Sequence, residues 1–271
     1  MIKRYVRYIL LVLLLAVGGF TGLYYNQDWM IMRHTPLPQT HQFNFTEPHQ
    51  ELTWSMPDGA KLNALYFTVD QPKGVVLYLH GRGGNLDKPW GAVASEFTKR
   101  SYNCLIFDYR GFGKSTGKVS QKDFLADSLY AYDFLKERFP QDRIVVYGCS
   151  FGTGPATYVA SMRNPKFLIL EAPYYSMLDL IPRSGYMIPT WVLQIILKFP
   201  LPTNKWMENV HSPIYIFHGK KDELIPYNSS ERLLKHVPYS TQATLITLKN
   251  GKHNYLPKHP VYQRTLDSLL D

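Results

Sequence analysis

The sequence predicts an α/β protein whose mainly parallel sheet is covered by helices on both faces. Three observations carry this. Apolar runs of strand length alternate with helix-like stretches from about residue 51 to 256. The runs are rich in Val, Ile and Leu without polar alternation, as strands buried on both faces require. Each ends in a loop bearing Gly, Asp or Pro, the residues that turn a chain.

The elements follow in order. Residues 52–55 and 62–67 alternate in polarity around Pro57-Asp58-Gly59, so they read as an antiparallel hairpin at one sheet edge. The first buried strand is 74–79, and 104–107, 143–147, 167–170, 214–217 and 243–248 follow, giving eight strands in all. Helices are expected between them at about 87–100, 121–139, 151–162, 228–237 and 259–270. Nothing repeats at the spacing of a solenoid or propeller, and 45% hydrophobic with 19% charged residues excludes a disordered chain.

Two segments stand outside this rhythm. At the N-terminus, the stretch 8–27 carries no charge in 20 residues, about the number that spans a bilayer as a helix. Lys3, Arg4 and Arg7 precede it and Asp28 follows, so the positive-inside bias puts the N-terminus in the cytoplasm and the rest outside it, in the periplasm or exterior of a bacterium or in a lumen or outside the cell of a eukaryote. Residues 1–33 are read as a membrane anchor with its linker and 34–271 as one domain. A cleaved signal peptide is the alternative, with Ala16-Val17-Gly18 as its cleavage site. The second segment is an insertion at about 174–212, rich in proline. In it Ile188, Trp191, Val192, Ile195, Ile196 and Phe199 recur at helical spacing, with Thr190, Gln194 and Lys198 as a narrow polar stripe. This is either a helix packed on the core or a short apolar lid over an acyl pocket or against a bilayer.

The net charge of +9 is spread along the chain, with no Lys/Arg run longer than two after the span, so no nucleic-acid partner is expected. An anionic membrane surface fits this charge better. Two cysteines, Cys104 and Cys149, read as buried thiols rather than a disulfide framework. No H-E-x-x-H or paired-Cys metal motif is present, and Gly111-Phe-Gly-Lys-Ser115 lacks the first glycine of a phosphate loop, Asp108 standing there. No metal and no cofactor are expected.

The chemistry is carried by GCSFG (148–152), directly after one expected strand and before a helix. In that context G-x-S-x-G is a nucleophile elbow, whose glycines permit a sharp turn that lifts Ser150 above the sheet at a helix N-terminus. A serine needs a base, and the base an oriented acid. Asp222 follows the strand 214–217 and His253 the strand 243–248, so each sits at the C-terminal end of its own strand, where loops of a parallel sheet converge. Glu223 and Asp108 are the competing acids, with Asp108 taken as structural. The glycine-rich HGRGGN (80–85) ends the strand 74–79 and supplies an oxyanion hole, its donors the amides of Arg82 and Phe151.

Together HGRGGN, DYRGFGKS (108–115), GCSFG, HGKKDELIP (218–226) and GKHN (251–254) resemble, in order and spacing, the α/β-hydrolase-fold serine hydrolases over residues 50–270. The chain is most similar to the membrane-anchored α/β-hydrolase-domain group with a short lid, and to serine-aminopeptidase-like relatives. The resemblance implies cleavage of acyl esters or thioesters of a small molecule or lipid through an acyl-enzyme on Ser150. Arg82, Lys88, Arg110, Lys114, Lys220, Lys221 and Lys252 are expected to form a positive rim that favours anionic or membrane-borne esters. A peptidase or acyltransferase of the same fold, or a membrane-tethered binding protein without catalysis, are the alternatives.

Overall fold

A computed structural model describes residues 2–183 and 188–271. Met1, residues 184–187 of the expected insertion, and the side chains of Ile2, Lys3, Ala16 and Tyr255 lie outside the described residues. The chain begins with α1 (Ile2–Tyr25) and α2 (Gln27–Met32), then β1 (His49–Ser55), β2 (Lys61–Phe67) and β3 (Gly74–Leu79). Next come α3 (Ser95–Thr98), β4 (Tyr102–Phe107), α4 (Gln121–Lys136), β5 (Ile144–Cys149), α5 (Thr153–Met162) and β6 (Phe167–Glu171). The insertion holds α6 (Met177–Arg183), α7 (Thr190–Ile196) and α8 (Thr203–Met207). The chain closes with β7 (Ile214–Gly219), α9 (Asn228–Leu234), β8 (Ala243–Leu248) and α10 (Pro260–Leu270).

All eight strands form one sheet in the order β1-β2-β4-β3-β5-β6-β7-β8. Only β1 with β2 and β2 with β4 pair antiparallel; the rest is parallel. The hairpin between β1 and β2 closes where expected, with Gly59 at φ +83° and the Met56 amide donating to the Ala60 carbonyl at 2.8 Å. β3 and β4 are buried along their whole length, which explains their unbroken apolar runs. Their side chains alternate between two cores. Val75, Leu77, Leu105 and Phe107 face one with α4 and α5; Val76, Tyr78, Cys104 and Ile106 face the other with α3 and α10. Ser120 caps α4, its hydroxyl accepting from the Asp123 amide at 3.1 Å.

Three expectations need correction. The helix at 87–100 is instead a tight turn at Gly91–Ala94 running into the single turn of α3. Pro89 disfavours helical backbone at Lys88, and the Asn85 side chain takes the amides of Asp87 and Lys88 at 3.0 and 3.2 Å. Among the described residues the insertion holds three short helices, not one: α7 ends at Ile196, before Lys198 and Phe199. α9 stops at Leu234, three residues early.

α1 is long and apolar enough to cross a membrane over Arg4–Tyr25, and its described part is exposed. The linker is not a free tether. In α2, Ile31 and Met32 are buried in the core, and Arg33 turns the chain at φ +52°. The carbonyl of Met32 then accepts from the Gly83 amide at 2.8 Å, and Gly113 donates to Thr35 at 3.0 Å, so the linker runs along the loops at the C-terminal sheet edge.

Candidate active site

The turn after β5 holds Ser150 at φ +50°, a left-handed conformation that costs a non-glycine residue of order 1–3 kcal/mol. Its flanking glycines make that turn possible. A Cβ on Gly148 would lie 2.6 Å from the Ala156 Cβ, and one on Gly152 would lie 2.0 Å from the Leu79 carbonyl oxygen. The strain therefore aims the Ser150 hydroxyl off the sheet edge, ahead of α5.

The Ser150 Oγ lies 2.9 Å from Nε2 of His253, and Nδ1 of His253 lies 2.8 Å from Oδ2 of Asp222. Three loops, after β5, β7 and β8, thus meet at one point. Oδ1 of Asp222 accepts from the amides of Leu224 and Ile225 at 2.9 and 2.8 Å. Burial would raise the Asp222 pKa, but hydrogen bonds from His218 and His253 outweigh it and hold the carboxyl below the usual range. His218 is itself fixed, its Nδ1 2.6 Å from the Ser230 hydroxyl and its Nε2 3.1 Å from the Ile225 carbonyl. Glu223 also borders the cavity but pairs with Lys252 at 3.1 Å.

The glycine-rich loop after β3 lies beside the serine: a Cβ on Gly81 would be 3.5 Å from the Ser150 Cβ. Gly83 and Gly84 turn the loop at φ +76° and +68°, and the Trp90 indole N–H donates to the Gly83 carbonyl at 2.6 Å. Arg82 and Phe151 both border the cavity that Ser150 and His253 face. Below the loop, Asp108 is fully buried and accepts from the Leu86 amide at 3.1 Å. Its Oδ1 lies 3.7 Å from His80 Nε2. Burial pushes Asp108 up to about 8 and His80 down to about 3, disfavouring charge on either group where they support the loop.

The cavity has a volume of about 1060 Å³ and runs from Ser150 towards the insertion. Its walls are largely apolar. Two features of it were not legible in the sequence. Leu23, Gln27, Met30 and Ile31 form part of the wall, so the linker belongs to the site. Glu171, at the end of β6, lies in the wall with its Oε2 accepting from the Tyr147 hydroxyl at 2.5 Å, and burial pushes its carboxyl up to about 7. An acid at the end of a strand neighbouring the serine's was the one available signal. Cys149 also lines the cavity and is half-buried, whereas Cys104 is buried as expected.

The positive rim is smaller than expected. Arg110 is buried against Asp58 and Asp127, and Lys114 is buried against Glu51 at 2.8 Å; both brace loops instead of facing a ligand. The guanidinium-bearing residues that border the cavity are Arg33, Arg82 and Arg183.

An eight-stranded, mostly parallel sheet with a serine on a strained turn after its fifth strand defines an α/β-hydrolase-fold protein, and this chain is one. The family model described as alpha/beta hydrolase fold matches residues 74–201. The alpha/beta hydrolase domain-containing protein aho-3 of Caenorhabditis elegans is 28% identical over 199 residues, 72% of this chain and 57% of its own length. The lysophosphatidylserine lipase ABHD12 of Rattus norvegicus is 26% identical over 206 residues, 68% of this chain but 49% of its own length. The match therefore spans about half the length of these two relatives. Among solved structures, the Pyrococcus furiosus esterase Pf2001 superposes with a TM-score of 0.67 at 20% identity, over 87% of this chain and 96% of that one.

Proposed function

We propose that the chain is a membrane-anchored serine hydrolase of acyl esters or thioesters. The observation that carries this reading is the continuous hydrogen-bond chain from Ser150 through His253 to Asp222, opening on an apolar cavity. Esterase and lipase likenesses support a hydrolase. In the mechanism, His253 Nε2 takes the Ser150 proton as the oxygen attacks the acyl carbonyl. Asp222 holds the other ring nitrogen protonated and offsets the imidazolium charge. The amides of Arg82 and Phe151 bind the oxyanion, each such donor being worth roughly 3 kcal/mol in other enzymes. His253 then protonates the leaving group, and water releases the acyl group by the same steps in reverse.

Esters are favoured over peptides because the acids of the insertion are already engaged. Asp179 accepts from Arg232 at 2.8 Å and from Arg183 at 3.2 Å, and Glu208 pairs with His236 at 2.8 Å, leaving neither to hold a substrate ammonium. The reading takes residues 1–33 as anchor and linker and 34–271 as the domain, held outside the cytoplasm. The test is fluorophosphonate labelling of the full chain in detergent micelles beside Ser150→Ala, with p-nitrophenyl esters of graded chain length. Labelling and turnover that vanish together in the variant are expected. A folded protein that neither labels nor turns over would refute the reading.

A further inference from the structure

We propose that the outer face of α7, together with Trp29, docks in the bilayer surface, so that the cavity takes the acyl chain of a bilayer-resident ester directly from the leaflet. This rests on the hydrolase reading above and names its substrate class. The two faces of α7 differ in what they touch. Leu193 and Ile196 line the cavity, while Trp191 and Ile195, one turn apart on the other side, are 67% and 76% exposed. Trp29 of α2 is 58% exposed. Large apolar side chains at such exposure, clustered on the elements that wall a cavity, mark a surface for an apolar partner.

The position of α7 relative to the span says which partner. Gln27 clamps it: its amide Nε2 donates to the Ile196 carbonyl at 2.8 Å, and its Oε1 accepts from the Lys198 amide at 2.9 Å. Gln27 is two residues beyond the end of α1, roughly 3 Å along a helix axis. The Lys198 ammonium sits 4.2 Å from the centre of the Tyr24 ring and 5.1 Å from that of Tyr25. Tyr and Lys at the end of a span are where a membrane helix meets the headgroups. α7 is therefore tied to the membrane surface at its C-terminal end, and its exposed Trp191 and Ile195 fit burial at the headgroup–acyl boundary. Leu23 of α1 borders the cavity, so its apolar wall continues into the span itself.

The test uses the full chain reconstituted into phosphatidylcholine vesicles. With brominated acyl chains in the lipid, Trp191 is expected to be quenched, and Trp191→Phe to remove that share of the quenching. The double variant Trp191→Glu, Ile195→Glu touches neither the cavity nor the serine. It is expected to lower turnover of a palmitoyl lysophospholipid carried in the vesicles about tenfold, with micellar p-nitrophenyl butyrate turnover and fluorophosphonate labelling within about twofold of the parent. Tyr239→Glu, fully exposed just before the N-terminal end of β8 and so at the opposite sheet edge, serves as the control and should change nothing. An unquenched Trp191, or vesicle turnover unaffected by the double variant, would overturn the proposal. So would a dimer that only the parent forms, which would give the face to a second copy. Quenching without labelling would leave the docking intact and refute the hydrolase reading instead.

Discussion

Asp222→Asn tests the orienting acid through a constraint specific to this loop. Oδ1 of Asp222 is held by the amides of Leu224 and Ile225 at 2.9 and 2.8 Å, and Oδ2 faces His253 at 2.8 Å. An asparagine that keeps its carbonyl oxygen on the two amides must turn its NH₂ toward His253. Nδ1 of His253 then has to accept, its proton moves to Nε2, and the nitrogen 2.9 Å from Ser150 has no lone pair for the serine proton. In a well-studied protease this exchange costs on the order of 10⁴ in kcat, or about 5 kcal/mol. The escape is to flip the amide, which leaves two backbone N–H groups facing an NH₂ at about 1–3 kcal/mol each. The smaller of the two costs sets the outcome, so the loss lies between about 30- and 10⁴-fold in kcat/KM for p-nitrophenyl butyrate. Glu223 cannot stand in, since it is exposed and paired with Lys252. A loss under about tenfold in a protein with unchanged circular dichroism would refute the orienting role.

Two further predictions concern the frame around the site. Gly152→Ala adds a Cβ 2.0 Å from the Leu79 carbonyl and 2.6 Å from that of His80, so it should destabilise the fold by at least about 1–3 kcal/mol, read as a lower urea midpoint; an unchanged midpoint would contradict the close approach. Glu171 has a pKa raised by burial from 4.5 to about 7, so between those values the native state holds a proton that the unfolded chain has lost, and stability falls as pH rises through that window. Glu171→Gln should remove that fall, up to about 3 kcal/mol, and equal pH dependence of the urea midpoint in parent and variant would refute it.

The sheet and the serine, histidine and acid positions were legible because each rests on a local signal. Strand runs end at turn residues, and a parallel sheet brings the ends of β5, β7 and β8 to one edge whatever lies between. Register along the chain was less legible. The failed helix at 87–100 shows why: the apolar spacing is present, but Pro89 and the Asn85 side chain compete for the same amides. Two members of the expected positive rim failed for a different reason. Lys114 and Arg110 lie in the right loop, but their partners Glu51, Asp58 and Asp127 come from distant parts of the chain, and pairing across such separations leaves no local mark.

The linker is the case where this matters most for function. The sequence marks residues 8–27 as a span by hydropathy, a signal that invites treating everything before residue 34 as detachable. The contacts argue otherwise. Met32 is fully buried, its carbonyl holds the Gly83 amide, and Gly83 sits one residue from Arg82, whose amide is a proposed oxyanion donor. Removing residues 1–33 would strip Met30 and Ile31 from the cavity wall, release the clamp that Gln27 sets on α7, and leave the Gly83 amide without its acceptor. A freed loop costs more in catalysis than in stability, because an oxyanion donor acts only if it is fixed before the charge develops. On the proposed reading, α1, the linker and the site act as one mechanical unit, so turnover of p-nitrophenyl butyrate is expected from the full chain in detergent and a large loss of it from a chain lacking residues 1–33.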